Sequence, residues 1–92
     1  MDLLQKRTEI LRIAAQYGAS NLRVFGSVAR GDDRSHSDVD LLVDMDSDRS
    51  LLDIVGLGQD LEELLNRRLD VLTGASLDPA LRERILAESR PL

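Results

Sequence analysis

The sequence predicts an α/β (α+β) fold: a small mixed sheet of about three strands flanked by helices, in the order αβαβαβα. Three observations carry that expectation. Apolar residues recur at helical spacing in long segments. They alternate, or form short aliphatic runs, in the segments between. Glycine, proline and Asp/Ser punctuation separates the two kinds of segment.

Residues 2 to 17 place Leu3, Ile10, Ile13, Ala14 and Tyr17 on one helical face, and Gly18 follows as the residue that ends the helix. Leu22 to Phe25 run into Gly26-Ser27, which predicts a strand, a tight turn and a short helix through about Arg30 before Gly31 stops it. The polar stretch 31 to 37 predicts a loop. From Asp38 to Asp44 the chain alternates strictly, with Val39, Leu41 and Val43 on one side and Asp38, Asp40, Leu42 and Asp44 on the other, the period of a half-buried strand.

Ser50 followed by Asp53 predicts a capped helix start, although the capping box prefers Glu or Gln at that place. The helix then presents Ile54, Leu57, Leu61, Leu64 and Leu65. Gly56 and Gly58 lie inside it, and because an interior glycine costs about 1 kcal/mol relative to alanine, they imply close packing against another element or, alternatively, flexibility near a site. Leu69 to Thr73 reads as a third strand. Asp78-Pro79 supplies an N-cap and an N1 proline for a last helix holding Leu81, Ile85 and Leu86.

A length of 92 residues predicts one domain over 1–92 with a modest core and no room for a second, substrate-holding domain. With 42% hydrophobic but only 2% aromatic residues, Leu, Ile, Val and Ala must form that core. No apolar run approaches the roughly 18 residues that span a bilayer. Charges at Asp2, Lys6, Arg7 and Glu9 spoil a signal-peptide reading, so a cytoplasmic protein with no membrane partner is expected. The absence of cysteine excludes disulfides and cysteine metal sites. A formal charge of −5 argues against direct nucleic-acid binding, which draws its affinity from Lys and Arg neutralising phosphates.

The chemistry concentrates in GSVARGDDRSHSDVDLLVD. At Gly26-Ser27 the glycine lets the backbone approach a ligand, the following helix N-terminus offers amide groups to an anion, and the Ser27 hydroxyl can donate to a phosphate oxygen. Alone, this pair is also an ordinary turn with a helix cap. Asp38 and Asp40, two apart on a strand, leave one face roughly 6 to 7 Å apart at Cα and can converge on a hard cation. Mg²⁺ takes a few carboxylates and fills its other positions with phosphate oxygens and water. Alone, that pair is also the solvent face of an edge strand. Together, one loop apart, they point to a nucleoside triphosphate with its magnesium ions.

Gly26-Ser27, ten residues, then Asp38-Val39-Asp40 resembles the G-S-x10-D-x-D signature of the DNA polymerase beta-like nucleotidyltransferase superfamily. More closely, GSVARG at 26 to 31, SDVDLLV at 37 to 43, LDVLT at 69 to 73 and PALRERIL at 79 to 86 are similar to the minimal nucleotidyltransferase (MNT) antitoxins encoded beside HEPN-domain ribonuclease toxins. The resemblance implies the nucleotidyltransferase fold and an Mg²⁺-dependent protein adenylyltransferase, with two metal ions and ATP as substrate. It would attach AMP to a tyrosine of the HEPN toxin within a hetero-oligomeric complex and so silence it. It further implies that Gly26 and Ser27 bind the triphosphate, that Asp38 and Asp40 are the catalytic metal pair, and that Asp70 is the third catalytic and metal-binding carboxylate. An acid inside an otherwise apolar strand is costly unless it meets a cation or donors, which supports the role of Asp70. The alternative is an exposed aspartate on an edge strand. Arg30, one turn into the motif helix, either reaches a phosphate oxygen or pairs with Asp32 or Asp33.

Two other functions stay open on the sequence: an antitoxin that inhibits by binding alone, and a nucleotidyltransferase acting on a small hydroxyl compound, for which a partner must supply the missing substrate domain. His36, the only histidine, reads as a solvated loop residue rather than a general base. Asp44, Asp46 and Asp48 read as a solvated turn. Arg67-Arg68 and Arg82-Arg84 fit a partner surface or ordinary exposed helix positions equally well.

Overall fold

Aliphatic alternation in two neighbouring strands organises the molecule. The computed structural model describes residues 3–26 and 39–92. After a 3-10 turn over Leu3–Lys6 come α1 (Arg7–Gln16), β1 (Ala19–Phe25), β2 (Val39–Met45), α2 (Leu51–Leu65), β3 (Leu69–Thr73), a second 3-10 turn, α3 (Pro79–Glu88) and β4 (Arg90–Pro91). The sheet runs β3-β2-β1-β4. β2 and β3 are parallel, joined by α2 as crossover, while β1 is antiparallel to both β2 and β4. The mixed sheet flanked by helices is the expected architecture. The short helix expected through Arg30 and the loop 31–37 lie outside the described residues.

Two details differ from the sequence reading. The sheet has four strands among the described residues, not about three. β4 is two residues long and contains a proline, so it carries no alternation to read. It is held by pairing with Arg23 and Val24, by the Leu92 N–H donating to the Leu22 carbonyl at 3.0 Å, and by Arg7 Nε donating to the Leu92 carbonyl at 3.0 Å. β1 begins at Ala19 rather than Leu22, because Ala19 and polar Ser20 still pair with Met45 and Asp44 of β2. The register slips between Ser20 and Arg23, a β-bulge. Asn21 adopts φ +50° there and donates from Nδ2 to Asp44 Oδ2 at 3.1 Å.

One face of the sheet is covered. Leu22 and Val24 of β1 and Val39, Leu41 and Val43 of β2 meet Ile10 and Ala14 of α1 and Leu57, Leu61 and Leu65 of α2 in a single core cluster. This matches the predicted helix stripes and the predicted inward half of β2. Gly18, at φ +77°, follows α1 as expected. At the start of α2 the Asp53 carboxylate accepts the Ser50 backbone N–H at 3.0 Å, so aspartate fills the place where Glu or Gln is usual.

Gly56 and Gly58 separate. A Cβ at Gly56 would lie 2.6 Å from Tyr17 Cε1, so the tyrosine ring just after α1 requires the bare backbone of α2. The Tyr17 hydroxyl then donates to Asp60 Oδ2 at 2.6 Å. That hydrogen bond, with some desolvation and the nearby Asp60 and Asp53 charges, raises the Tyr17 pKa above its ordinary value. At Gly58 a Cβ would meet only Val71 Cγ2, at an ordinary 3.7 Å, so close packing does not explain this glycine.

α3 starts as predicted, with Asp78 Oδ1 accepting from the Ala80 N–H at 2.9 Å and Pro79 in the first turn. It buries none of its residues, and Leu81 and Leu86 are 50% and 42% exposed. No helix of the described residues is long and apolar enough to cross a membrane.

Candidate active site

The opposite face of the sheet carries the polar half of the alternation. Register places Phe25 of β1 beside Asp40 of β2, and Asp40 beside Asp70 of β3. Cross-strand partners share a face, so these three side chains form one row across the sheet. The next row is Arg23, Leu42 and Leu72. Leu42 is buried in it, and Arg23 donates from Nε to Ser89 Oγ at 2.7 Å, which fixes the C-terminal end of α3 beside this face. Asp40 is half-buried and Asp70 exposed.

Two sequence-predicted acids from separate strands are therefore neighbours, about one strand spacing (~4.8 Å) apart. The cost of burial that supported Asp70 in the sequence reading does not arise, since Asp70 is an exposed acid on an edge strand. Its connection to Asp40 comes from register instead. Side-by-side aspartates repel, and a bound cation would relieve that repulsion.

Gly26 ends β1 at φ +73°, the left-handed region where glycine carries no penalty. A Cβ built there would collide with Asp40 Oδ2. The glycine is therefore required twice: by its backbone angle, and by the carboxylate that occupies the space a side chain would fill. Ser27, Arg30 and Asp38 lie outside the described residues, as does His36. At the far end of β2 from Asp40, Asp44, Asp46 and Asp48 are all exposed; Asp46 and Asp48 lie in the expected solvated turn, where the Arg49 N–H donates to the Asp46 carbonyl at 3.1 Å, whereas Asp44 is still in β2, paired with Ser20.

The donor set suits a hard cation. Among the described residues no group of three acids or histidines converges on a metal position. Asp40 and Asp70 offer the one or two carboxylates that Mg²⁺ takes from a protein, leaving its other positions for water and phosphate oxygens. Phe25, the only phenylalanine, was missed as a site neighbour. Its signal was there, because Leu22 and Val24 point inward and so set Arg23 and Phe25 on the face that carries the acids.

Known proteins resemble the chain over nearly its whole length. "Putative protein adenylyltransferase MJ0435" of Methanocaldococcus jannaschii is 39% identical over 89 residues, covering 97% of this chain and 96% of that protein. "Protein adenylyltransferase MntA" of Thermococcus cleftensis is 38% identical over 73 residues, covering 79% and 74%. A solved structure described as a "putative minimal nucleotidyltransferase" superposes with a TM-score of 0.87 at 46% identity, covering 100% of this chain and 97% of that one. A toxin-antitoxin complex solved with AMP-PNP shares the fold at a TM-score of 0.77 and 19% identity, covering 91% and 69%. The sequence pattern of the nucleotidyltransferase domain family matches residues 7–92. With its acids abreast on the open face and Gly26 backed against one of them, the chain belongs to the nucleotidyltransferase domain family.

Proposed function

We propose that this protein is a cytoplasmic antitoxin, a protein adenylyltransferase that moves AMP from ATP to a tyrosine of a HEPN-domain ribonuclease toxin. The observation that carries the reading is the Asp40–Asp70 pair in one cross-strand row, with Gly26 against Asp40. The names of the relatives support a protein acceptor, and the motif likeness is what suggests a tyrosine of a HEPN toxin.

In this reading Asp38, Asp40 and Asp70 would hold Mg²⁺, which when bound would supply charge neutralisation and orientation for the triphosphate. Gly26 lets the backbone turn at the end of β1 with the Asp40 carboxylate packed against it, and Ser27 and Arg30 would donate to the triphosphate oxygens. The tyrosine oxygen forms a bond to the α-phosphorus, the bond from that phosphorus to the bridging oxygen breaks, and pyrophosphate leaves. Asp70, on the exposed edge, faces the arriving hydroxyl and takes its proton.

Incubation with ATP, Mg²⁺ and the protein encoded beside this chain, followed by intact-mass measurement of that protein, tests the proposal. AMP-sized mass steps are expected. Full inhibition of the toxin with no mass change assigns the chain to inhibition by binding alone.

A further inference from the structure

The outer edge of β3 is open at its centre and closed at both ends. The Val39 N–H donates to the Arg68 carbonyl at 2.9 Å, which fixes the alternation: Asp70 and Leu72 turn their backbone groups toward β2, and Leu69, Val71 and Thr73 turn theirs outward. At one end Glu62 Oε2 accepts the Leu69 N–H at 3.1 Å. At the other, Ser76 Oγ accepts the Thr73 N–H at 3.2 Å and donates to the Thr73 carbonyl at 2.8 Å. Between them the Leu69 carbonyl and both backbone groups of Val71 face outward with no partner among the described residues. Alongside runs a groove of about 250 Å³ between α2 and β3, with Ile54, Val55, Leu69 and Val71 as its apolar walls, Gly58 as the low point of the helix and Gln59 and Glu62 at the rim.

We propose that this edge is where the acceptor docks: an extended segment of the protein partner adds to the sheet as a strand beside β3. The inference rests on the adenylyltransferase reading and specifies how its substrate is held. Side chains of an added strand alternate between the two sheet faces. A residue level with Asp70 projects onto the face of Asp40 and Asp70, and its two neighbours project into the groove between α2 and β3. The segment that fits is a tyrosine flanked by aliphatic residues, with a cationic side chain meeting Glu62. One hydrogen-bonding edge thus sets the register of the hydroxyl against the acids. It also accounts for Gly58, whose missing side chain keeps the groove open where packing does not demand it.

Gly58→Leu fills the groove. The added Cβ meets Val71 Cγ2 at an ordinary 3.7 Å and replacing an interior glycine favours the helix, so the variant is expected to fold, and its urea unfolding midpoint checks that it does. Three measurements on wild type and variant, using the toxin encoded beside this chain, decide the matter: ATP binding, AMP transfer by intact mass, and amide hydrogen exchange at Val71 with and without the toxin. In the free chain the Val71 amide is expected to exchange rapidly and those of Asp70 and Leu72 slowly. The toxin is expected to protect Val71 in the wild type. Gly58→Leu is expected to retain ATP binding while transfer falls at least about tenfold, the equivalent of about 1.4 kcal/mol. Wild-type transfer by Gly58→Leu, or rapid Val71 exchange in the complex, overturns the docking site. Val71 protection without any mass gain retains the docking site and overturns the transferase reading.

Discussion

The two faces of the sheet use the same strands for opposite purposes. On the covered face Leu22, Val24, Val39, Leu41 and Val43 are buried under α1 and α2. On the other face the intervening residues, Arg23, Phe25, Asp40 and Asp70, are at least partly accessible. A shift of one residue separates an aliphatic that stabilises the fold from a carboxylate that repels its neighbour. Burial stabilises one side and the proposed chemistry sits on the other, so substitutions on the two sides should fail in different ways.

The sharpest break is Asp70→Asn. With Asp70 in its proposed role as proton acceptor, the expected loss of AMP transfer is about 10²- to 10⁴-fold. Removing one of two neighbouring like charges leaves the metal-free fold no less stable, and raises stability by up to about 1 kcal/mol. Steady-state transfer and urea unfolding of the same sample check both halves, and a destabilised but active variant would reverse the assignment of the faces.

Leu61→Ala is the mirror case. Its side chain is fully buried in the core, and truncation costs about 2 to 5 kcal/mol of unfolding free energy. The urea midpoint should fall, while molecules that remain folded at low temperature transfer AMP at the normal rate.

Gly26→Ala sits where the faces meet. The left-handed angle costs a non-glycine residue about 1 to 2 kcal/mol, and the new methyl displaces the Asp40 carboxylate. Both stability and transfer fall, and calorimetry with a transfer assay reports the two losses together.

The smallest effect is expected at Tyr17, between α1 and α2. Its folded pKa lies above its ordinary value, so the neutral hydroxyl is the form favoured by folding. That contribution is whole below about pH 10, the unfolded value, and is lost as pH rises through the folded value. Tyr17→Phe loses the hydrogen bond to Asp60 at neutral pH and shows a shallower alkaline decline in thermal midpoint over the same titration.

Much of this was legible in the chain because local physics dictates it. The period of β2, the stripe of α2, the cap at Asp78-Pro79 and the glycine after β1 each follow from residues a few positions apart. Non-local features were not legible. β4 exists only because Leu92 and Arg90–Pro91 reach β1 across the sequence. The exposure of Leu81 and Leu86 reflects the absence of a described element to pack against, which no helical pattern reveals. Gly56 and Gly58 look alike in sequence, and only the Tyr17 ring tells them apart.

By itself the sequence determined the alternation that sorts acids from aliphatics, because side-chain direction on a strand depends on parity alone. It also determined the Gly26-Ser27 and Asp38-Val39-Asp40 spacing. The tertiary structure decided which acids meet. Asp40 and Asp70 are brought abreast by the parallel register of β2 and β3, set through the α2 crossover and the Val39–Arg68 hydrogen bond. Register between strands joined by a helix depends on how that helix packs, and that information is held in the core rather than in either strand.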